Sequence, residues 1–224
     1  MSRHWGSDSS GELRVSRLIE RTAVLGPGQR TAVVVQGCHL RCRGCIAEPT
    51  HRLDAGELIG VDQLSRRLDA IPDVTGITFT GGEPFLQAAA LARLLDLLRA
   101  ERPGLSAMSY SGYRLEWLRR KGSPAQRSLL RRLDILVDGP YVERLHAPLR
   151  WRGSRNQRIH ALSPRHRTEV ERGRDESAGM ELSLDSDLGL EWVGVPPVPD
   201  FSARIDAMRA TGETPTPTTQ EEQR

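Results

Sequence analysis

Apolar and polar residues alternate over 13–19, with Leu13, Val15, Leu18 and Ile19 set against Arg14, Ser16 and Arg17. This period predicts a first, half-exposed strand. Gly26-Pro27-Gly28 makes a turn, and 31–36 is a β-branched run of the kind carried by a strand buried on both faces. Leu64, Leu68 and Ile71 recur at helical spacing over 61–71, and 76–80 reads as a strand. The Ala/Leu-rich stretch 86–98 is helical by propensity. A strand over 105–110, short helices over 115–120 and 125–133, and a strand over 135–137 that ends in Asp138-Gly139-Pro140 complete the pattern. Strands alternating with helices imply parallel βαβ units. At 224 residues the chain is short for an eight-fold barrel of ~250 residues. The expected fold class is therefore α/β, a partial, open parallel β/α barrel in a single domain.

The ends are expected to lie outside that domain. Residues 1–11 are polar and Gly/Ser-rich, and 211–224 are Thr, Pro, Glu and Gln, both compositions of disordered tails. The domain then spans 12–210, with a less regular part over 160–210. Within it, 181–184 and 190–195 read as paired strands around Asp185-Ser186-Asp187, and 201–208 as a final helix. No repeat is evident. The N-terminus has no apolar core for an export signal and no run approaches bilayer length, so a cytoplasmic protein without membrane association is expected. The net charge is only +3 despite a pI of 9.0, and the charges of both signs are interspersed. Of the 32 basic residues only Lys121 is a lysine. That imbalance reads as codon bias towards GC rather than a phosphate-binding face, and nucleic acid is not an expected partner.

Three cysteines, Cys38, Cys42 and Cys45, are the chain's whole complement. A disulfide framework prefers an even count in an exported chain. Structural zinc usually builds on C-x2-C pairs with four closed ligands, and His39 or His51 would have to supply the fourth here. Three unrelated buried thiols would make the clustering a coincidence. Thiolates at i, i+4 and i+7 suit one polynuclear iron–sulfur centre with an iron left open. In a parallel α/β array, sites gather at the carboxyl ends of strands. Four polar segments fall there: the cysteine loop, Gly81-Gly82-Glu83-Pro84, Ser109-Tyr110-Ser111-Gly112-Tyr113, and Asp138.

C-x3-C-x2-C after one strand with Gly-Gly-Glu-Pro after the next resembles the radical SAM superfamily. Within it, the chain is most similar to the activating enzymes of anaerobic ribonucleotide reductase. Further matching segments are 21–31, Val35-Gln36-Gly37-Cys38, Tyr110-Ser111-Gly112-Tyr113, Val137-Asp138-Gly139-Pro140-Tyr141 and 151–159. The resemblance runs from about residue 12 to residue 165. It implies that Cys38, Cys42 and Cys45 hold one 4Fe–4S cluster, whose open iron binds the amino and carboxylate groups of S-adenosylmethionine. One electron passed into the sulfonium would release methionine and a 5′-deoxyadenosyl radical. In this family that radical takes a hydrogen atom from a backbone glycine of a large partner reductase. Gly81, Gly82, Glu83 and Pro84 would meet the methionyl amine, and Ser111 and Asp138 the ribose or the methionine end. No catalytic residue beyond the cluster ligands is implied, and a flavodoxin or ferredoxin-like protein would supply the electron. Two rivals stand beside this reading: a small radical enzyme that modifies a peptide, nucleoside or other small molecule, and a metal-binding module with no catalysis.

Overall fold

The computed structural model describes residues 10–173, 175–184 and 190–211. The expected tails over 1–9 and 212–224, and the Asp185-Ser186-Asp187 turn, lie outside the described residues. A seven-stranded sheet organises the chain. Strands β1 (Glu12–Thr22), β2 (Arg30–Val35), β3 (Glu57–Gly60), β4 (Gly76–Gly81), β5 (Ser106–Ser111) and β6 (Ile135–Asp138) form it with β9 (Arg158–Ala161), in the order β3-β1-β2-β4-β5-β6-β9. The four strands β2, β4, β5 and β6 run parallel, as the strand–helix alternation predicts. β1 is antiparallel to both β2 and β3, and β9 is antiparallel to β6. The sheet is therefore mixed, parallel at its centre and antiparallel at both edges. The short strand β3 and the hairpin of β7 (His146–Leu149) with β8 (Arg152–Ser154) have no counterpart in the sequence pattern. These strands are short and, unlike the apolar run of β6, carry no run or alternation that marks them in the sequence.

Helices α1 (Val61–Asp69), α2 (Ala88–Glu101), α3 (Leu115–Lys121) and α4 (Pro124–Leu130) cover one face of the sheet. Alternate strand residues Val33, Val35, Ile77, Phe79, Ala107 and Leu136 point into that layer, against Leu64, Leu68, Leu91, Leu94, Leu95, Leu98, Leu118 and Leu129. Ser123 caps α4 through a reciprocal box with Gln126, and Pro124 occupies its first turn. α2 begins after a 3-10 turn over Pro84–Gln87, which shifts its start past the glycine loop. The other face of the sheet is closed by different elements. Met108, Ile135 and Val137 meet Trp151, Val170 and Ala178, while Ala32 packs with Val24, Leu25 and Val193. Val170 lies in α5 (Arg167–Arg172), and Val193 in the antiparallel hairpin of β10 (Met180–Leu184) with β11 (Leu190–Gly194), the strand pair expected there. α6 (Phe201–Thr211) follows, with Phe201 edge-on to Trp192. Among the described residues, no helix is long and apolar enough to cross a membrane.

The amino ends of the parallel strands are tied by Arg30, a fully buried residue that the sequence pattern does not single out. Its Nε donates to Thr78 Oγ1 (2.7 Å), Nη1 to the Pro27 carbonyl and Ser106 Oγ (both 3.1 Å), and Nη2 to the carbonyls of Ile77 (2.6 Å) and Ser106 (3.3 Å). One guanidinium thus joins β2, β4 and β5 at the end of the sheet opposite the cysteine loop.

Candidate iron–sulfur and cofactor site

Parallel pairing puts the four polar segments on one rim. Val35 lies opposite Gly81 and Ser111 opposite Asp138, so the strands end nearly level. The cysteine loop leaves β2 through Gly37, whose φ of 100° suits glycine. It is held in place by Gly37 N–H to the Thr50 carbonyl (2.8 Å) and Cys38 N–H to that of His51 (3.2 Å). Arg41 and Gly44 also take positive φ, bending the loop twice within the cysteine motif. All three cysteines are free thiols; Cys38 is buried, and Cys42 and Cys45 are half-buried.

The donor set fits a cluster. The backbone amides of Leu40 and Arg41 favour the charged form of Cys38, and that of Ala47 the charged form of Cys45. Burial is the largest influence on these thiols. It pushes Cys38 up and Cys45 up to about 11, with the neighbouring cysteines adding like-charge repulsion. Thiols gathered in one loop, two of them with backbone amides that favour the thiolate, suit a cationic centre that binds them as thiolates and releases their protons. Ligands sharing one zinc at Zn–S ≈ 2.3 Å would crowd to within about 3.8 Å of one another. Among the described residues no three His, Cys, Asp or Glu side chains are grouped for a single ion. Thiols that each take a different iron need no such convergence.

The glycine loop seats directly on the root of the cysteine loop. Gly82 N–H donates to the Val35 carbonyl (2.8 Å) and Glu83 N–H to the Gly37 carbonyl (2.9 Å). A Cβ on Gly82 would stand 2.3 Å from the Gly37 carbonyl oxygen, and one on Gly81 2.6 Å from that of Val35. Both glycines are therefore required by the chain's own packing. Gly82→Ala is expected to cost about 1–3 kcal/mol, the overpacking scale, and to lower iron retention with it, because the atoms in the way are cluster-loop backbone. Urea unfolding with iron analysis of the reconstituted variant tests both.

Glu83 is not a surface residue; it is 1% exposed. One oxygen accepts from Phe85 N–H (2.9 Å) and Ser111 Oγ (3.0 Å), the other from Gly112 N–H (2.8 Å). It thereby joins the loops after β4 and β5. Burial raises its carboxyl to about 7, against the pull of those three hydrogen bonds. The folded carboxyl binds its proton at higher pH than the unfolded one at 4.5. Its contribution to stability is therefore full below about 4.5 and is lost as pH rises through about 7. Glu83→Gln does not titrate, so its stability relative to the parent should improve between about pH 5 and about pH 8, read from urea midpoints at each pH. A difference that stays constant across this window would refute the buried carboxyl.

Ser111 and Asp138 reach the same rim by different bonding. Ser111 Oγ holds Glu83 and accepts from Tyr113 N–H (3.1 Å). Asp138 is fully buried, and its oxygens meet Leu115 N–H (2.6 Å), Arg158 Nε (3.1 Å) and Arg158 Nη2 (2.8 Å). His160 Nε2 stands 3.2 Å away. Burial opposes its charge, but the nearby His160 ring and the hydrogen bonds from Arg158 and Leu115 prevail and hold the carboxyl well below its usual range. The segment after β7 is likewise bound up in the rim. Trp151 is buried under the Arg150 guanidinium, Asn156 Nδ2 donates to the Pro140 carbonyl (2.8 Å), and Gln157 Oε1 accepts from Gly153 and Ser154 N–H. Arg152 pairs with Asp175, and Arg158 reaches Glu116 as well as Asp138.

Several contacts at the cysteine loop were not foreseeable from the motif. Leu40 lies where a Cβ on Gly112 would stand, 2.2 Å from its Cδ1. Glu143 lies across Gly44 and pairs with Arg43 (3.1 Å). Tyr113 Oη bonds His39 Nε2 (3.0 Å), and its ring stacks on Trp117 at 4.6 Å and 7°. In the sequence, Tyr113 is marked by its place after the third parallel strand and by the matching segment Tyr110-Ser111-Gly112-Tyr113.

Known proteins agree with this centre. Residues 24–160 match the family of the 4Fe-4S single cluster domain. The anaerobic ribonucleoside-triphosphate reductase-activating protein of Salmonella typhi is 34% identical over 146 residues, covering 62% of this chain and 92% of that protein. The protein of the same name from Escherichia coli (strain K12) is 33% identical with the same coverage. That of Enterobacteria phage T4 is 29% identical over 140 residues, covering 61% and 86%. The chain belongs to the 4Fe-4S single cluster domain family, in its branch of anaerobic ribonucleoside-triphosphate reductase-activating proteins.

Proposed function

We propose that the chain is a radical SAM enzyme that reductively cleaves S-adenosylmethionine and installs a glycyl radical on an anaerobic ribonucleoside-triphosphate reductase. The observation that carries this is the bonding of the glycine loop to the root of the cysteine loop, Gly82 to Val35 and Glu83 to Gly37. It makes one rigid floor of the two motifs. The relatives' names support the partner. The fold fits a partial barrel of the radical SAM type: four parallel strands carry their helices on a single face, as barrels do, whereas doubly wound sheets carry them on both.

Cys38, Cys42 and Cys45 hold the cluster, and Gly81, Gly82, Glu83 and Pro84 border the methionyl group. When bound, the cluster and S-adenosylmethionine supply a one-electron cleavage of the sulfonium C–S bond, giving methionine and a 5′-deoxyadenosyl radical. The chain's own work is positioning. The Leu40, Arg41 and Ala47 amides stabilise the thiolates, and Glu83 locks the loops after β4 and β5 together. Ser111 steadies Glu83, and Asp138 steadies Arg158 and His160, beside the ribose and methionine positions. The test is anaerobic reconstitution. Brown protein with ~4 irons per chain that releases 5′-deoxyadenosine under dithionite and generates a glycyl electron-spin signal on an added reductase is expected. Cluster uptake without cleavage would overturn the enzymatic reading. Cleavage without a glycyl signal would overturn the target.

A further inference from the structure

The rings of His39, Tyr113 and Trp117 form a continuous series that begins at the residue after Cys38; His39 and Trp117 are exposed, and Tyr113 between them is half-buried. His39 follows Cys38 directly in the chain. Its ring centroid lies 5.8 Å from that of Tyr113, with the 3.0 Å hydrogen bond between them, and Tyr113 stacks on Trp117 at 4.6 Å. Trp117 is 42% exposed, one of few large apolar side chains so placed among the described residues. Inner-ring packing does not explain it, because α3 buries Leu115 and Leu118 and turns Trp117 outward.

The charge around Trp117 is of one sign. Arg114, Arg119, Arg120 and Lys121 are exposed, and none has an ion-pair partner among the described residues. Other exposed arginines, such as Arg66, Arg67 and Arg131, also lack an ion pair among the described residues; what sets this face apart is Trp117, the one aromatic among the exposed large apolar side chains described. The one acid of α3, Glu116, is occupied by Arg158. Arg114, Arg120 and Lys121 stand three, three and four residues from Trp117, so they flank it on one side of the helix. An exposed aromatic ringed by unpaired cations is a docking surface for an acidic partner, and such charge sets encounter rate and orientation.

We propose that this face of α3 docks an acidic one-electron carrier protein, which passes its electron through the Trp117–Tyr113–His39 contacts to the centre held by Cys38. The inference rests on the functional reading above and names the entry point for its reductant. The donor is oxidised by one electron and the cluster reduced by one; no bond forms or breaks, and the rings serve as a short contact path without being oxidised themselves. Redox encounters of this kind use small surfaces, so an exposed ring and four cations are sufficient in scale.

The probe is a purified acidic flavodoxin, dye-labelled and oxidised, titrated anaerobically into cluster-loaded protein and read by fluorescence anisotropy of the dye at rising salt. The triple variant R119E/R120E/K121E should weaken binding at least ten-fold at low salt and flatten its salt dependence. Dithionite-driven release of 5′-deoxyadenosine should be unchanged, because a small reductant needs no docking. Trp117→Ala should slow flavodoxin-driven cluster reduction, followed by its visible bleaching, more than dithionite-driven reduction. Unchanged flavodoxin binding in the triple variant would overturn the proposal. Equal losses with both reductants would overturn it too. So would lost glycyl-radical formation under dithionite with flavodoxin binding intact, since the face would then belong to the reductase, or binding of duplex DNA that the triple variant abolishes while flavodoxin binding survives. Parent protein that fails to cleave S-adenosylmethionine under dithionite would sink the functional reading alone, since flavodoxin binding is read without turnover.

Discussion

Cys42→Ala should leave the fold standing and abolish iron retention. Cys42 is half-buried, whereas Cys38 is 8% exposed and anchors the loop against His51. Removing the Cys42 thiol deletes little packing, so unfolding should shift by less than about 1 kcal/mol, within the range of ordinary surface changes. The loss falls on the metal instead. Three thiolates are all that the chain provides, and ligation by a deprotonated thiol is coupled to site formation. With two ligands left, reconstitution should give colourless protein with iron near background and no 5′-deoxyadenosine. Circular dichroism and iron and sulfide analysis on one preparation separate the two effects. A brown Cys42→Ala protein that still cleaves S-adenosylmethionine would sink the assignment.

Arg30→Met should do the reverse: a large loss of stability caused far from the cluster. All five guanidinium N–H groups are donated to neutral oxygens, and no carboxylate touches the group. Burial lowers its pKa to about 10, so the charge persists at neutral pH and is held by dipoles rather than by a counter-charge. Methionine fills much of the volume but takes the guanidinium donors from the carbonyls of Pro27, Ile77 and Ser106, while the Thr78 and Ser106 hydroxyls keep Leu25 and His166. The expected cost is about 1–3 kcal/mol for each buried carbonyl left without a donor, out of a total of ~5–15 kcal/mol. Gly76 completes the cradle, since a Cβ there would stand 2.2 Å from Nη1. Gly76→Ala should therefore destabilise the parent while costing much less beside Arg30→Met, a non-additive pair that urea unfolding of the four proteins resolves. Additive effects would mean that the guanidinium does not occupy that space.

The central pattern was legible because it repeats. β2, β4, β5 and β6 alternate with apolar-striped helices long enough to establish a period, and the rim position of the four loops follows from parallel pairing alone. The short strands β3, β7, β8 and β9 carry no apolar run like that of β6. The end of α4 at Leu130 rather than at 133 is likewise a local matter of closing the last turn. At the site, the cysteine spacing and the glycine loop identified the chemistry. The reason for Gly82 was not visible, because the Gly37 carbonyl that requires it lies 45 residues earlier in the chain. Glu83 read from sequence was a residue of the loop after a strand; only the fold closes Phe85, Ser111 and Gly112 around it.

The sequence by itself determined what the centre is made of. Three thiols in eight residues, with no other cysteine, are a local property of the chain, and periodicity carries each long element because it depends on near neighbours. Tertiary structure decided what each polar group is committed to. Asp138 is bound to Arg158 and His160, Arg30 to three strands, and Tyr113 to His39 and Trp117. Apart from the Tyr113–Trp117 stack, these pairings join residues between 20 and 76 positions apart, where one appears in the other's surroundings only after the sheet has formed. Burial, which turns a carboxylate into a lock and a tryptophan into a landmark, is a property of the assembled fold and of no residue alone.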